Sequence, residues 1–253
     1  MVIARQQSVC RSGQWAVGVI ATLTLVWTVV LGAAFGQSSR QKVSLELVLA
    51  IDVSASVNTV EFDLQLRGIA RALRQRQTID LIAQHSDGVA VTIAQWSGWA
   101  DGGRPAEWRI LTDEASVLRY AHDVEGLDRR QVGYLTAIGY AIDFSIDLIE
   151  GNRFNGRLRK IDVSGDGRSN AGVEAADARD RALARGMAIS GLAIETDDSE
   201  LSNYFRQNVI GGPGAFVITA STYGHFAEAM AKKLARELTI YTADAAAGSP
   251  STR

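Results

Sequence analysis

The chain has 253 residues, with 26 basic and 28 acidic side chains, a formal net charge of −2 and a single cysteine. So mild an acidity gives no reason to expect nucleic acid or an anionic membrane as partner. One cysteine excludes a disulfide within the chain, and a domain of this length buries enough surface to fold without one.

Residues 1–36 read as a secretory signal peptide. Arg5 and Arg11 make the amino end positive, Trp15 to Leu31 is apolar and uncharged, and Ala34-Phe35-Gly36 puts small residues at the −3 and −1 positions of a cut before Gln37. The competing reading is an uncleaved anchor, since Trp15 to Phe35 is about long enough to span a bilayer. The small-residue site argues for cleavage. Cys10 precedes the apolar run, the wrong place for a lipid-attachment cysteine. Arg5 and Arg11 are the only charges in this segment, so the remainder carries a net charge of −4 and no thiol. The expected product is an exported monomer, periplasmic or extracellular, without membrane contact once cleaved. Residues 37–42 read as a linker, 43–241 as one domain and 242–253, small and polar, as a disordered tail.

Leu45 to Ile51 is a short run rich in Val, Ile and Leu, as a strand buried on both faces reads. It ends on Asp52-Val53-Ser54-Ala55-Ser56. A helical pattern follows from Thr59 to Gln75, with Val60, Leu64, Ile69 and Leu73 near one face and Arg67, Arg71, Arg74 and Arg76 as a solvated one. Val89 to Trp96 is a second strand, followed by a loop from Ser97 to Pro105 punctuated by glycine and proline. Trp96 belongs to the core. Trp99, in that loop, is a candidate partner-binding residue, because aromatics anchor interfaces; the alternative is that it folds over the sheet edge.

Trp108 to Leu111 suits a short edge strand and Glu114 to Val124 a helix. Thr136 opens a helix ending near Ile149, so its hydroxyl either caps that helix or reaches the Asp52 loop. Gly151 to Arg157 reads as a turn and Leu158 to Val163 as a central strand, followed by Ser164-Gly165-Asp166-Gly167. Alternation turns Asp162 to a face of the sheet, whereas Asp166 sits at the strand's end between glycines. Asp162 is then left to support that site from behind or to bond a neighbouring loop. Further on come a helix from Val173 to Arg185 stopped by Gly186, a strand from Met187 to Ile194, a helix from Leu201 to Val209, a strand from Ala215 to Thr219 and a closing helix from His225 to Tyr241. Gly211-Gly212-Pro213-Gly214 precedes a strand rather than a helix, so it reads as a turn and not a phosphate loop. The alternation predicts a three-layer α-β-α fold: a mostly parallel central sheet of about six strands with helices on both faces.

Asp52, Ser54 and Ser56 place one charge and two hydroxyls between a parallel strand's carboxyl end and a helix start, where open α/β sheets hold ligands. All-oxygen donors suit a hard cation such as Mg²⁺. Alone, D-x-S-x-S is equally an aspartate and serines serving a turn and a cap. With Thr136 and Asp166, the pattern resembles the metal-ion-dependent adhesion site of von Willebrand factor A-type domains, over roughly Val43 to Leu238. Gln95-Trp96-Ser97-Gly98, Asp162-Val163-Ser164-Gly165-Asp166-Gly167 and Ile210-Gly211-Gly212-Pro213-Gly214-Ala215-Phe216 further resemble a bacterial secreted family of this fold, domain of unknown function 1194.

The first resemblance implies a metal site of Asp52, Ser54, Ser56, Thr136 and Asp166. Ser54 and Ser56 are then direct ligands, Thr136 is one in the ligand-bound form, and Asp52 and Asp166 act through water. The ion is Mg²⁺, with Mn²⁺ or Ca²⁺ as substitutes. It also implies a partner, a protein with an exposed Asp or Glu that completes the metal's coordination. Two alternatives are weighed against this binding module. One is a metal-dependent hydrolase or phosphotransferase on the same cluster. An aspartyl phosphotransferase wants a second acid where Ser54 stands, His85, His122 and His225 adjoin no ligand loop, and G-x-S-x-G and H-E-x-x-H are absent. The other is a purely structural metal.

Overall fold

The computed structural model describes residues 39–98, 104–129 and 133–247. The expected signal peptide and Trp99 lie outside the described residues. Seven strands make one sheet in the order β3-β2-β1-β5-β6-β7, with β4 also on β2. β1 (Gln41–Asp52) lies parallel between β2 (Val89–Trp96) and β5 (Phe154–Gly165). β6 (Ala188–Ile194) and β7 (Val217–Ala220) extend the parallel sheet beyond β5. β3 (Arg104–Pro105) and β4 (Arg109–Leu111) pair antiparallel with β2. The strand beyond the expected six is β3, a two-residue edge piece within the Ser97 to Pro105 loop.

β1 is buried from Val43 to its end. Its odd-numbered Leu45, Leu47, Leu49 and Ile51 pack with α1 (Thr59–Leu73), α2 (Arg76–Ala83), α3 (Glu114–Glu125) and α7 (Phe226–Ala247). Its even-numbered Val48 and Ala50 pack with α4 (Ile138–Gly151), α5 (Ala175–Ala184) and α6 (Leu201–Asn208). Strand alternation thus divides the core into two layers, one on each side of the sheet. Among the described residues no helix is long and apolar enough to cross a membrane.

Several boundaries differ from the sequence reading. β1 begins at Gln41, inside the expected linker, and β5 begins at Phe154, inside the expected turn. There Gln41 pairs with Phe154 and Lys42 with Asn155. Gln41 and Lys42 are exposed, so no apolar alternation marks the extension. α2 was not anticipated: Gln75, extended at φ −65° and ψ 136°, separates it from α1, and Thr78, Ile79 and Ile82 are its buried face. The buried stripe of α1 includes Phe62, Leu66, Ile69 and Leu73, whereas Val60 and Leu64 are exposed. Helix α7 continues to Ala247, past the expected Tyr241. Gly186 ends the turn after α5 at φ +71°, the left-handed conformation glycine adopts readily.

Asp162 faces α7, with Lys160 two residues before it on the same side of β5. Lys233 Nζ lies 3.3 Å from Asp162 Oδ1, and Lys160 Nζ lies 2.8 Å from Glu237 Oε2. All four side chains are buried. Asp162 therefore belongs to the α7 interface and neither supports the candidate site from behind nor bonds a loop.

Candidate metal centre

β1 runs out to β2 on one side, and the chain later returns on its other side through β5. The carboxyl ends of β1 and β5 thus meet where the strand order reverses, the crevice in which such sheets take ligands. Asp52 ends β1 there, and Asp166 follows β5.

The first loop is shaped by its own polar groups. Ser54 N donates to Asp52 Oδ1 at 2.8 Å, and Val57 N to the Ser54 carbonyl at 3.0 Å. Asn58 caps α1 in a reciprocal box with Glu61. Gln65 Nε2, on α1, donates to the Asp52 carbonyl at 3.0 Å. Arg129 donates to the carbonyls of Ser54 (3.4 Å) and Val57. The second loop hangs on Ser97 and Asn170. Gly133 N donates to Ser97 Oγ at 3.1 Å and Ala137 N to its carbonyl at 3.2 Å. Asn170 accepts from Thr136 N and donates its own N–H to the Thr136 carbonyl, each at 2.9 Å. α4 begins after Ala137, which makes no side-chain cap, so Thr136 does not cap that helix.

The five predicted oxygen donors come together. Ser56 Oγ donates to Asp166 Oδ1 at 2.8 Å, the Ser54 and Ser56 hydroxyls are 3.1 Å apart, and Thr136 Oγ1 lies 3.5 Å from Ser54 Oγ. Asp52, Ser54, Thr136 and Asp166 are buried, and Ser56 is exposed at the mouth. Asp52 Oδ1 is held by the Ser54 N–H, but Oδ2 is buried without a hydrogen-bond partner. A Cβ on Gly165 would stand 3.2 Å from that oxygen, so glycine keeps the floor of the site open. Burial, and then the charge of Asp166, push the Asp52 carboxyl up to about 7, against the hydrogen bonds from Ser54.

A divalent cation fits this arrangement. It would satisfy the orphaned Oδ2 and relieve the repulsion between the carboxylates, and an all-oxygen donor set suits a hard divalent ion. Among the described residues no cluster of three or more His, Cys, Asp or Glu side chains could hold a metal. A metal here would therefore depend on the hydroxyls and on water as well as the two acids.

Sequence reasoning missed the residues that orient these ligands. Tyr223, in a 3-10 turn (Tyr223–His225) leading into α7, donates from its hydroxyl to Asp166 Oδ2 at 3.0 Å. Burial and the nearby carboxylates push that phenol far up, so it stays a donor. Nothing near Tyr223 in sequence signals this reach. Asn170 and Gln65 carry no motif either, although polar residues just after Asp166 were a place to look. His225 bonds the Ser221 and Thr222 hydroxyls, and His85 is buried near Lys160.

The model of a protein family of unknown function, DUF1194, matches residues 42–242. The chain belongs to this family. A search of curated proteins finds no match. Among solved structures, the domain resembles proximal thread matrix protein 1 from the mussel byssus with a zinc-occupied MIDAS motif. The TM-score is 0.55 and the identity 17%, over 79% of this chain and 49% of that one. It also resembles the vWF domain of the type V pili tip protein Mfa5 from Porphyromonas gingivalis (TM-score 0.56, 10% identity, 78% of this chain and 96% of that one). A third is the manganese-loaded TRAP protein of Plasmodium vivax (TM-score 0.50, 12% identity, 74% and 72%). The chain spans about half the length of the byssus protein. At these identities the likeness shows the fold alone: this DUF1194 member has the fold of von Willebrand factor A-type domains.

Proposed function

We propose that this DUF1194 protein is an exported, metal-dependent protein-binding module that captures an acidic side chain of a partner through Mg²⁺ held by Asp52, Ser54, Ser56, Thr136 and Asp166. The observation that carries the reading is Asp52 Oδ2, buried without a hydrogen-bond partner beside a second carboxylate and three converging hydroxyls. A divalent ion bound there supplies a Lewis-acid position that an incoming carboxylate can occupy. The residues of the chain do the rest: two acids balance the ion's charge, and Tyr223, Gln65 and Asn170 orient the loops. The arrangement supports binding over catalysis, because among the described residues no histidine or lysine hydrogen-bonds the five donors to move a proton. A zinc-occupied MIDAS motif in one structural relative and manganese in another support a divalent ion, and the pilus-tip relative supports a place outside the cytoplasm.

Calorimetric titration with Mg²⁺ and Mn²⁺, with and without acetate, tests the reading. Saturable binding lost in both Asp52→Ala and Asp166→Ala is the expected outcome. Absence of binding under all conditions, or binding unchanged in both variants, would sink it.

A further inference from the structure

Six large apolar side chains are exposed among the described residues, and four belong to the segments that carry the candidate site. Tyr134 (89% exposed) and Leu135 (44%) immediately precede Thr136. Val173 (45%) lies in the loop after Asp166, and that loop packs on the start of α4, where Val173 touches Gly139. The Thr136–Asn170 bonds tie the two loops together. Val60 (68%) is in the first turn of α1, four residues after Ser56. Scattered exposed apolar residues need no explanation, but a group bordering a buried polar centre marks an interaction surface.

The charges nearby narrow the choice of occupant. Two carboxylates would formally neutralise a divalent ion, and Arg129 adds one positive charge beside them, so the loaded centre would favour a single incoming carboxylate. Among the described guanidiniums nearby, Arg129 bonds the carbonyls of Ser54 and Val57 and its charge reaches Asp52, whereas Arg168 is paired with Asp198 at 2.7 Å. Beyond that one carboxylate, a strongly acidic partner would give up the hydration of its other acids here without a ligand bond to offset it. Apolar contacts around that bond are what the rim can offer, and a tyrosine is well suited to make them.

We infer that Tyr134, Leu135, Val173 and Val60 form an apolar collar that selects a partner segment in which one Asp or Glu is flanked by large apolar residues. This inference rests on the metal-dependent capture proposed above and specifies the partner's chemistry.

The test uses three blocked peptides in saturating Mg²⁺: N-acetyl-Leu-Glu-Leu-amide, N-acetyl-Ser-Glu-Ser-amide and N-acetyl-Glu-Glu-Glu-amide. The leucine-flanked peptide should bind about tenfold or more tightly than the serine-flanked one, equivalent to about 1.4 kcal/mol. Tyr134→Ser and Val173→Ser should shrink that ratio while leaving Mg²⁺ affinity and serine-peptide affinity unchanged. Equal affinity for the first two peptides overturns the collar but leaves carboxylate capture standing. Tighter binding of the triglutamate peptide overturns it in favour of an acidic partner. Mg²⁺-dependent dimerisation lost in Tyr134→Ser overturns it in favour of a second copy. If Mg²⁺ binds but none of the peptides does, the capture reading and the collar fail together.

Discussion

The substitution Asp52→Asn separates the cost of the site from its use. In the metal-free protein the carboxylate is fully buried, has one oxygen without a partner, and stands beside Asp166. Its pKa is raised from 3.8 to about 7, roughly three units. Each unit corresponds to about 1.4 kcal/mol, so near pH 8 the ionised side chain costs the folded state up to about 4 kcal/mol. Relaxation and water entry reduce this to about 2–4 kcal/mol. Asparagine keeps an oxygen for the Ser54 N–H and removes the charge. In EDTA at pH 8 the variant should therefore melt above wild type, by roughly 5–15 °C for a domain of this size. A group with a raised folded pKa favours folding below its unfolded pKa and loses that contribution as pH rises through the folded value. The gap should accordingly close as pH falls from 8 towards 4. With Mg²⁺ at about a thousand times its dissociation constant the order should invert: wild type gains about 4.1 kcal/mol, and Asp52→Asn gains little. Scanning calorimetry in EDTA and in Mg²⁺ at pH 8 and 5 reads all four states. A variant less stable than wild type in EDTA at pH 8 would refute the reasoning, because the carboxylate would then be held favourably without a metal.

Tyr223→Phe removes the donor at 3.0 Å from Asp166 Oδ2 and should cost about 1.5–3 kcal/mol of metal-free stability, the range for a hydrogen bond to a charged group; urea unfolding checks it. Lys233→Met leaves Asp162 buried without its counter-charge and should cost about 3–5 kcal/mol, with much of the loss recovered in Lys233→Met/Asp162→Leu; chemical unfolding of the single and double variants checks it. Acid should act in opposite senses on two buried groups. Burial raises Asp162 to about 6 against Lys233, with Glu237 adding to the rise, so its contribution favours folding below pH 3.8 and is lost as pH rises through 6. Burial first, then the charges of Lys160 and Arg157, lower His85 to about 4, so its contribution is present above pH 6.5 and lost as pH falls through 4. Urea midpoints between pH 4 and 7.5 should thus rise on acidification more in His85→Gln, and less in Asp162→Asn, than in wild type.

Much of this was legible because parallel strands buried on both faces leave continuous apolar runs. The carboxyl end of β1 could be placed from Leu45 to Ile51 alone, and the five oxygens came from the resemblance of three short loops to the A-type adhesion-site pattern. Edges were less legible. Gln41 and Lys42 pair with β5 through backbone groups while their side chains stay in solvent, so no alternation records them. Val60 and Leu64 read in the sequence as sharing a face with Ile69 and Leu73, but Phe62, Leu66, Ile69 and Leu73 hold the buried stripe of α1; helical spacing identifies a stripe and leaves open which of two faces the core.

The charges between β5 and α7 show why topology was needed for the rest. Lys160 and Asp162 interrupt a strand's apolar run at a spacing of two, and Lys233 and Glu237 stand one helical turn apart. Each pair alone reads as ordinary surface. Only when α7 lies against β5 do they become complementary, Lys160 with Glu237 and Asp162 with Lys233. Sliding the helix by one turn would bring Glu237 to Asp162, or Lys233 to Lys160. Like charges would then face each other where no water screens them. The buried charges add little net stability by themselves, but they specify one register for α7. That register also places Tyr223, at the head of the helix, within reach of Asp166.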